Sequence, residues 1–284
     1  MPLADPRPIL AAARTSGYGV GAFNTTLLEH GEALVAGAEA AQAPLIMQIS
    51  ENAVRYHGSL RPLAQACLAL AEAATVPVVL HLDHAEDVEL VREAVRLGFT
   101  SVMYDGSKLD DARNRAVTRE VVAFCHAAGV AVEAELGEVG GKDGVHAPGV
   151  RTDPGDAERF VADTGVDCLA VAVGTSHAMA TRDAVVDLEL VAAIAARVAV
   201  PLVLHGSSGV DDATLARVVT SGMTKVNIAT HLNKCFTAVV RDRLGADPSV
   251  MDARKYVAPA RAAMAGEVTR LIRVLNPQAP GVAA

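Results

Sequence analysis

The chain has no tryptophan, and aromatic residues make up only 3% of its 284 positions. With hydrophobic residues at 51%, a sizeable core is available, and it must be aliphatic, built mostly from Ala, Val and Leu. Cysteine is scarce: Cys67, Cys125, Cys168 and Cys235 stand far apart and form no CxxC pair. That spacing argues against a zinc–thiolate site or a disulfide framework and fits a reduced, cytosolic setting best. Positive charge is in deficit, with a formal net charge of -8, which argues against a nucleic-acid partner held through its phosphate backbone. It does not argue against a small anionic ligand, because a local site can be positive on an acidic protein. No apolar run reaches the ~18 residues of a membrane span. The opening MPLADPRPIL lacks a charged segment followed by an apolar one, so no signal peptide is expected. No Pro/Gly/Ser-rich linker, low-complexity tract or long repeat interrupts the sequence. The simplest expectation is one domain over residues 1–284.

Short Val/Ile/Leu-rich runs alternate with Ala-rich, charged segments of helical period. Strands are expected near Gly19–Asn24, Leu45–Ser50, Val78–Asp83, Ser101–Asp105, Ala131–Glu135, Cys168–Val173, Leu202–His205 and Lys225–Ile228. Helices are expected near Leu28–Ala41, Leu60–Ala74, Asp87–Leu97, Asp111–Ala128, Pro154–Thr164, Leu188–Arg197, Asp211–Ser221 and His231–Leu244. Asp87 and Asp211 are candidate N-caps. Eight strand–helix units in this length predict a (β/α)₈ TIM barrel. A further helix near Pro259–Leu275 falls outside the eight units.

In such a barrel, function gathers where the strands end. Those ends read Asn24, Ser50, Asp83–His84, Asp105, Glu135, His177, His205 and Asn227. Each is polar or competent to bind a metal, whereas a random surface would scatter such residues over both ends. Three neutral imidazoles, His84, His177 and His205, can hold Zn²⁺ and leave a fourth position open for chemistry. In HLDH, side chains alternate, so His81 and Asp83 share a face and His84 lies at the exit. Asp83 beside a metal suits general acid/base work. A plainer alternative is a buried hydrogen-bonded pair of His81 with Asp83. The stretch EAELGEVGGKDG places Glu133 one layer below Glu135 and then turns glycine-rich, as a loop that closes over substrate would, with Asp143 carried on it. HGSSG (His205–Gly209), opening a helix at Asp211, and NIAT (Asn227–Thr230) are strand-to-helix junctions whose unpaired N–H groups suit phosphate. They fall after strands seven and eight, where barrels often bind it.

The combination HLDH, VMYDGS, EAELGEVGG, GTSH, LHGSSG and VNIAT resembles the zinc-dependent class II ketose-bisphosphate aldolases, the fructose- and tagatose-bisphosphate group. The resemblance runs from Ala22–Asn24 to the DARKY segment at Asp252–Tyr256. It implies that His84, His177 and His205 bind catalytic Zn²⁺, that Asp83 handles the C4 hydroxyl, and that Asp143 is the loop acid. It implies that Asp105 and Glu135 lie beside the metal, able to hold a second or displaced divalent ion, and that a monovalent cation can accompany the phosphate. Asn24, Ser50, Gly206, Ser208, Asn227 and Thr230 match positions around the dihydroxyacetone-phosphate portion, and Arg254 matches the arginine that meets the far phosphate. The implied activity is reversible cleavage of a ketose 1,6-bisphosphate or 1-phosphate. The implied setting is a cytoplasmic homodimer or homotetramer whose partner is a small phosphorylated sugar, with no nucleic acid and no membrane.

The chain departs from the family at three places. Asp143 stands where Glu is common, Ala178–Met179–Ala180 replaces a pattern with Gly and then Tyr, and Val250 stands where short-chain fructose-bisphosphate cleavers tend to have an acid. Val250 leans the expectation towards tagatose bisphosphate or another ketose phosphate. Two other readings are another metal-dependent barrel enzyme such as a hydrolase, and a non-catalytic barrel that only binds a sugar phosphate. Barrel hydrolases often carry an HxH pair on strand one, whereas here strand one ends in AFN.

Overall fold

The eight expected strands close into a ring. The computed structural model describes residues 3–136, 151–176, 181, 182 and 184–278. The strands are β1 (Val20–Asn24), β2 (Leu45–Ser50), β3 (Val78–Ala85), β4 (Ser101–Tyr104), β5 (Ala131–Leu136), β6 (Cys168–Val171), β7 (Leu202–Leu204) and β8 (Met223–Ile228). All neighbours are parallel and in chain order, and β8 returns to β1 through pairs such as Ala22 with Asn227. The helices are α1 (Pro6–Ser16), α2 (Leu28–Ala41), α3 (Glu51–His57), α4 (Arg61–Ala73), α5 (Val88–Leu97), α6 (Asp111–Ala127), α7 (Pro154–Thr164), α8 (Leu188–Ala195), α9 (Asp212–Thr220), α10 (Thr230–Ala246) and α11 (Arg254–Leu275). The fold is therefore the expected (β/α)₈ barrel with an additional C-terminal helix. Among the described residues, no helix is long and apolar enough to cross a membrane.

Local chemistry sets the helix starts. Asp87 accepts from the Glu89 amide at 2.8 Å, and Asp211 accepts from the Thr214 amide at 2.9 Å, as expected of N-caps. Besides α11, two helices lie outside the eight anticipated units. Asp5, which accepts from the Arg7 amide at 2.9 Å, and Pro6 at the first helical position start α1. Ser50, which accepts from the Ala53 amide at 3.2 Å, starts α3. The last helix begins at Arg254, not at Pro259, and carries that proline inside it. Proline removes one internal hydrogen bond there. Packing compensates, since α11 buries Ala260, Met264, Val268, Leu271 and Leu275. It lies so close to α2 that a Cβ on Gly37 would come within 2.7 Å of the Ala265 carbonyl.

Strand alternation sends one face of each strand outward to the helices and the other into the barrel. The outward face joins the helices in one large aliphatic core that includes Phe23, Leu45, Met47, Ile49, Leu80 and Leu82. The inward face changes character along its length. At the N-terminal ends of the strands, Val20, Ala22, Ile46, Val79, Cys168, Ala170 and Val203 pack together, and Leu10 and Ala13 of α1 close them off. Towards the C-terminal ends the inward positions become polar: Gln48, His81, Asp83, Glu133, Glu135, Lys225 and Asn227 are all buried.

Candidate active site

A cleft of about 180 Å³ opens at the C-terminal ends of the strands. Asn24, Ser50, Asn52, Asp83, His84, His205, Gly206, Ser207, Ser208, Asn227, Ala229 and Thr230 line it. Thus Asn24, Ser50, Asp83, His84, His205, Gly206, Ser208, Asn227 and Thr230, all singled out from the sequence, meet in one place. Asn52, Ser207 and Ala229 join them, and Asn52 could have been suspected only from its place two residues after a strand end.

Adjacent residues on a regular strand point to opposite sides, yet both Asp83 and His84 line this cleft. The backbone explains it. His84 has a φ of 51°, in the left-handed region, and the β3–β4 register shifts between Leu82 and Ala85. A bulge of this kind re-aims a side chain and is held only where its surroundings determine it.

Hydrogen bonds fix the protons on the two imidazoles. His84 Nδ1 lies 2.9 Å from Asp105 Oδ2, and His205 Nε2 lies 2.9 Å from Glu133 Oε1. An ionised carboxylate only accepts, so each of those nitrogens carries the ring N–H. The other ring nitrogens, His84 Nε2 and His205 Nδ1, face each other at 2.8 Å. On neutral rings both present lone pairs. Two lone pairs at that distance repel unless a cation stands at that position. An imidazole backed by a carboxylate, with its other nitrogen turned to a common point, is the arrangement that orients metal-binding histidines. Oxygens of Asp83 lie close enough to both rings to share an ion with them, and Asp105 and Glu135 form a second such group with His84. Glu135 Oε2 is 3.8 Å from His84 Nδ1. Asp105 therefore stands behind His84, with its Oδ1 accepting from the Ser107 hydroxyl at 2.6 Å.

Asp83 does not pair with His81. Its Oδ2 accepts from the Asn24 amide at 2.9 Å, and its Oδ1 from the Asn227 amide at 3.3 Å. Gln48 in turn donates to Asn24 Oδ1 at 3.0 Å. Burial alone would raise the Asp83 carboxyl, but the electrostatic pull of His84, His205 and Lys225 and the Asn24 bond outweigh it and hold it below its ordinary value. His81 instead turns its Nδ1 to the Ser101 hydroxyl at 2.8 Å and its Nε2 towards Lys225 at 3.5 Å. Burial, and then the Lys225 charge, push His81 well below its ordinary value, so it is neutral.

The glycine–serine motif behaves differently from the expected helix start. Ser207–Gly209 forms a 3₁₀ turn, and α9 begins later, its first amides closed by Asp211. The open helix end belongs to α10. Its N-cap, Ala229, makes no side-chain bond to the first amides, so those not closed by Ser208 can meet an anion. Ser208 Oγ takes the His231 amide at 3.2 Å. At residue 206 a Cβ would lie 2.7 Å from the Ser176 backbone, and φ is 69°, so glycine alone fits.

Five expected participants are not among the described residues lining this cleft: Asp105 and Glu135, which lie on the Nδ1 side of His84, and His177, Asp143 and Arg254. His177 and Asp143 lie outside the described residues, as do Ala178–Ala180 and the glycines of the 137–144 stretch. Arg254 is described, and it does not line the cleft. Its side chain is 90% exposed and pairs with Asp252 at 2.8 Å at the start of α11.

Comparison with known proteins agrees with the geometry. The family described as "Fructose-bisphosphate aldolase class-II" matches residues 4–279. The fructose-bisphosphate aldolase of Thermus caldophilus is 41% identical over 283 residues, covering 90% of this chain and 92% of that protein. That of Geobacillus stearothermophilus is 38% identical over 277 residues, covering 96% of each. The crystal structure of the YdjI aldolase from Escherichia coli K12 superposes with a TM-score of 0.87 at 31% identity, over 99% of this chain and 100% of that one.

Proposed function

The chain belongs to the class II fructose-bisphosphate aldolase family and is a lyase, and from that premise we propose a Zn²⁺-dependent retro-aldol reaction carried out by one barrel domain spanning residues 1–284. The opposed nitrogens of His84 and His205, 2.8 Å apart, carry this reading. Each ring is backed by a carboxylate, and borderline-soft imidazole nitrogens suit Zn²⁺. His177, outside the described residues, is the proposed third ligand. Asp105 and Glu135 border the site and can take a second or displaced divalent ion.

When held there, the ion would supply a Lewis acid for the C2 carbonyl oxygen of a ketose phosphate. The residues of this chain do the rest. Asp83, held ionised and oriented by the Asn24 and Asn227 amides, accepts the C4 hydroxyl proton. The C3–C4 bond breaks, its electron pair passes to C2–C3, and the aldehyde leaves. A proton returned to C3 completes dihydroxyacetone phosphate, and Asp143 is the proposed donor. Gly206, Ser208, Asn227, Thr230 and the first-turn amides of α10 other than that of His231 hold the phosphate. Asn24 and Ser50 flank the triose, and a monovalent cation can sit beside the phosphate.

The substrate class is a ketose 1,6-bisphosphate of the fructose or tagatose type, or a ketose 1-phosphate. Val250 favours tagatose bisphosphate or another ketose phosphate over fructose bisphosphate. Arg254 remains the proposed contact for a far phosphate by resemblance only. The setting proposed is cytoplasmic, as a homodimer or homotetramer.

The test is condensation of dihydroxyacetone phosphate with a panel of aldehydes, before and after chelation. Carbon–carbon bond formation that disappears with the chelator and returns with Zn²⁺ is expected. Turnover unaffected by chelation, or hydrolysis without bond formation, would overturn the reading.

A further inference from the structure

Beneath the cleft the barrel encloses a charged pair, neither member of which takes a step in the reaction above. Glu133 on β5 and Lys225 on β8 are each 1% exposed, and Lys225 Nζ donates to Glu133 Oε2 at 2.7 Å. Layers inside such barrels are ordinarily filled by branched aliphatic residues. A buried ion pair is poor evidence of stabilisation, because desolvating two charges offsets most of their attraction. Its presence under this cleft calls for another explanation.

Connectivity supplies one. Glu133 has two oxygens and divides them: Oε1 takes the Nε2 proton of His205 at 2.9 Å, and Oε2 takes Lys225 at 2.7 Å. A rival partner stands close by. His81 Nε2 is 3.9 Å from Glu133 Oε2, too far for a hydrogen bond. Lys225 stands between them, 3.5 Å from that same His81 nitrogen. Without the ammonium, Glu133 has a second imidazole to turn to, and its hold on His205 is no longer unique. That hold matters because a proton kept on His205 Nε2 leaves the Nδ1 lone pair directed towards His84.

We propose that Glu133 and Lys225 form a positioning pair: Lys225 anchors Glu133 against the pull of His81, and Glu133 keeps the Nδ1 lone pair of His205 directed into the cation site. Neither residue touches substrate. The pair acts on metal affinity, through the orientation of one ligand. The inference rests on the reading of His84 and His205 as metal ligands.

Two variants test it, Lys225→Met alone and Glu133→Gln with Lys225→Met. The double variant removes both charges of the pair together, so the barrel is expected to fold. In it the carboxamide introduced at position 133 is no longer fixed in one orientation on His205. Metal-free proteins are first compared by thermal unfolding, then titrated with Zn²⁺ against a chromogenic chelator. The double variant should unfold at or above the wild-type temperature and bind Zn²⁺ about 10–100-fold more weakly, the range typical for lost partners behind metal ligands. The single variant, where it folds, should be weakened as much or more. Either folded variant binding with wild-type affinity would overturn the proposal. A double variant that fails to fold would do so too, because the pair would then be needed for stability rather than for position. Wild-type protein that binds no Zn²⁺ would instead remove the metal reading on which the inference stands.

Discussion

The two halves of the barrel interior follow opposite rules. The half at the strand N-termini is dry and aliphatic, made of Val20, Ala22, Ile46, Val79, Cys168, Ala170 and Val203 and stoppered by Leu10 and Ala13 of α1. The half at the C-termini holds Gln48, His81, Asp83, Glu133, Glu135, His205, Lys225 and Asn227, all buried and most of them hydrogen-bonded to one another. Burial in the first half removes apolar surface from water and stabilises the fold. Burial in the second is costly unless every group has a partner. The lower half therefore specifies the barrel, and the upper half uses the rigidity this provides to aim a few polar atoms.

Substitutions in the two halves should separate accordingly. The largest effect is expected for His205→Ala. Losing a proposed metal ligand should abolish Zn²⁺ binding and lower kcat/KM by at least about 10³-fold, the loss of several kcal/mol of transition-state stabilisation. A variant that still binds one equivalent of Zn²⁺ would remove His205 from the ligand set. Asp83→Ala should come next. It should keep its Zn²⁺ and lose about 10²–10⁴-fold in turnover, the usual worth of a general acid/base. Loss of the metal would make Asp83 a ligand instead.

Leu10→Ala inverts the pattern. Leu10 is 1% exposed, so truncation should cost about 2–5 kcal/mol of stability in denaturant unfolding. Zn²⁺ affinity and turnover of the folded fraction should stay as they were. A parallel fall in metal affinity would show that the halves are coupled and break the division. The smallest effect lies outside the barrel, where Glu267 of α11 meets His231 at 2.6 Å and Arg270 at 2.7 Å. Burial would raise the Glu267 carboxyl, but Arg270 and then His231 outweigh it and hold it below its ordinary value. A depressed carboxylate contributes stability above its unfolded value and loses it as pH falls through the folded one. Glu267→Gln should therefore cost under about 1 kcal/mol at pH 7, as befits a partly exposed pair. The difference from wild type should vanish below the carboxylate range. A difference that grows in acid would reverse the sign of the assignment.

The sequence and the fold agree where local chemistry dominates. Alternation of aliphatic runs with amphipathic segments locates all eight strands, because a parallel strand covered by helices must be apolar on its outward face. The strand ends likewise announce Asn24, Ser50, Asp83, His84, His205 and Asn227. Features that depend on contacts between distant strands are not legible in this way. Nothing near Lys225 says that its ammonium meets Glu133, since a lysine in a strand is ordinarily read as exposed. Sharing a strand face makes His81 and Asp83 a natural pair, yet partners on other strands, Ser101 and Lys225 for one and Asn24 and Asn227 for the other, prevail. The left-handed turn at His84 is equally invisible, because histidine carries no signature for it. The start of α1 is the reverse case. Asp5–Pro6 is a clear opening signal in a segment whose packing role emerges only once the barrel floor is formed.

The central claim concerns two nitrogens. Two-bond proton–nitrogen correlation spectra of the histidine rings, recorded on metal-free protein during Zn²⁺ addition, test it most directly. The account predicts that His84 is protonated on Nδ1 and His205 on Nε2 before any metal is added, and that one equivalent of Zn²⁺ shifts His84 Nε2 and His205 Nδ1 together. Opposite tautomers, or ring nitrogens that ignore the metal, would contradict it.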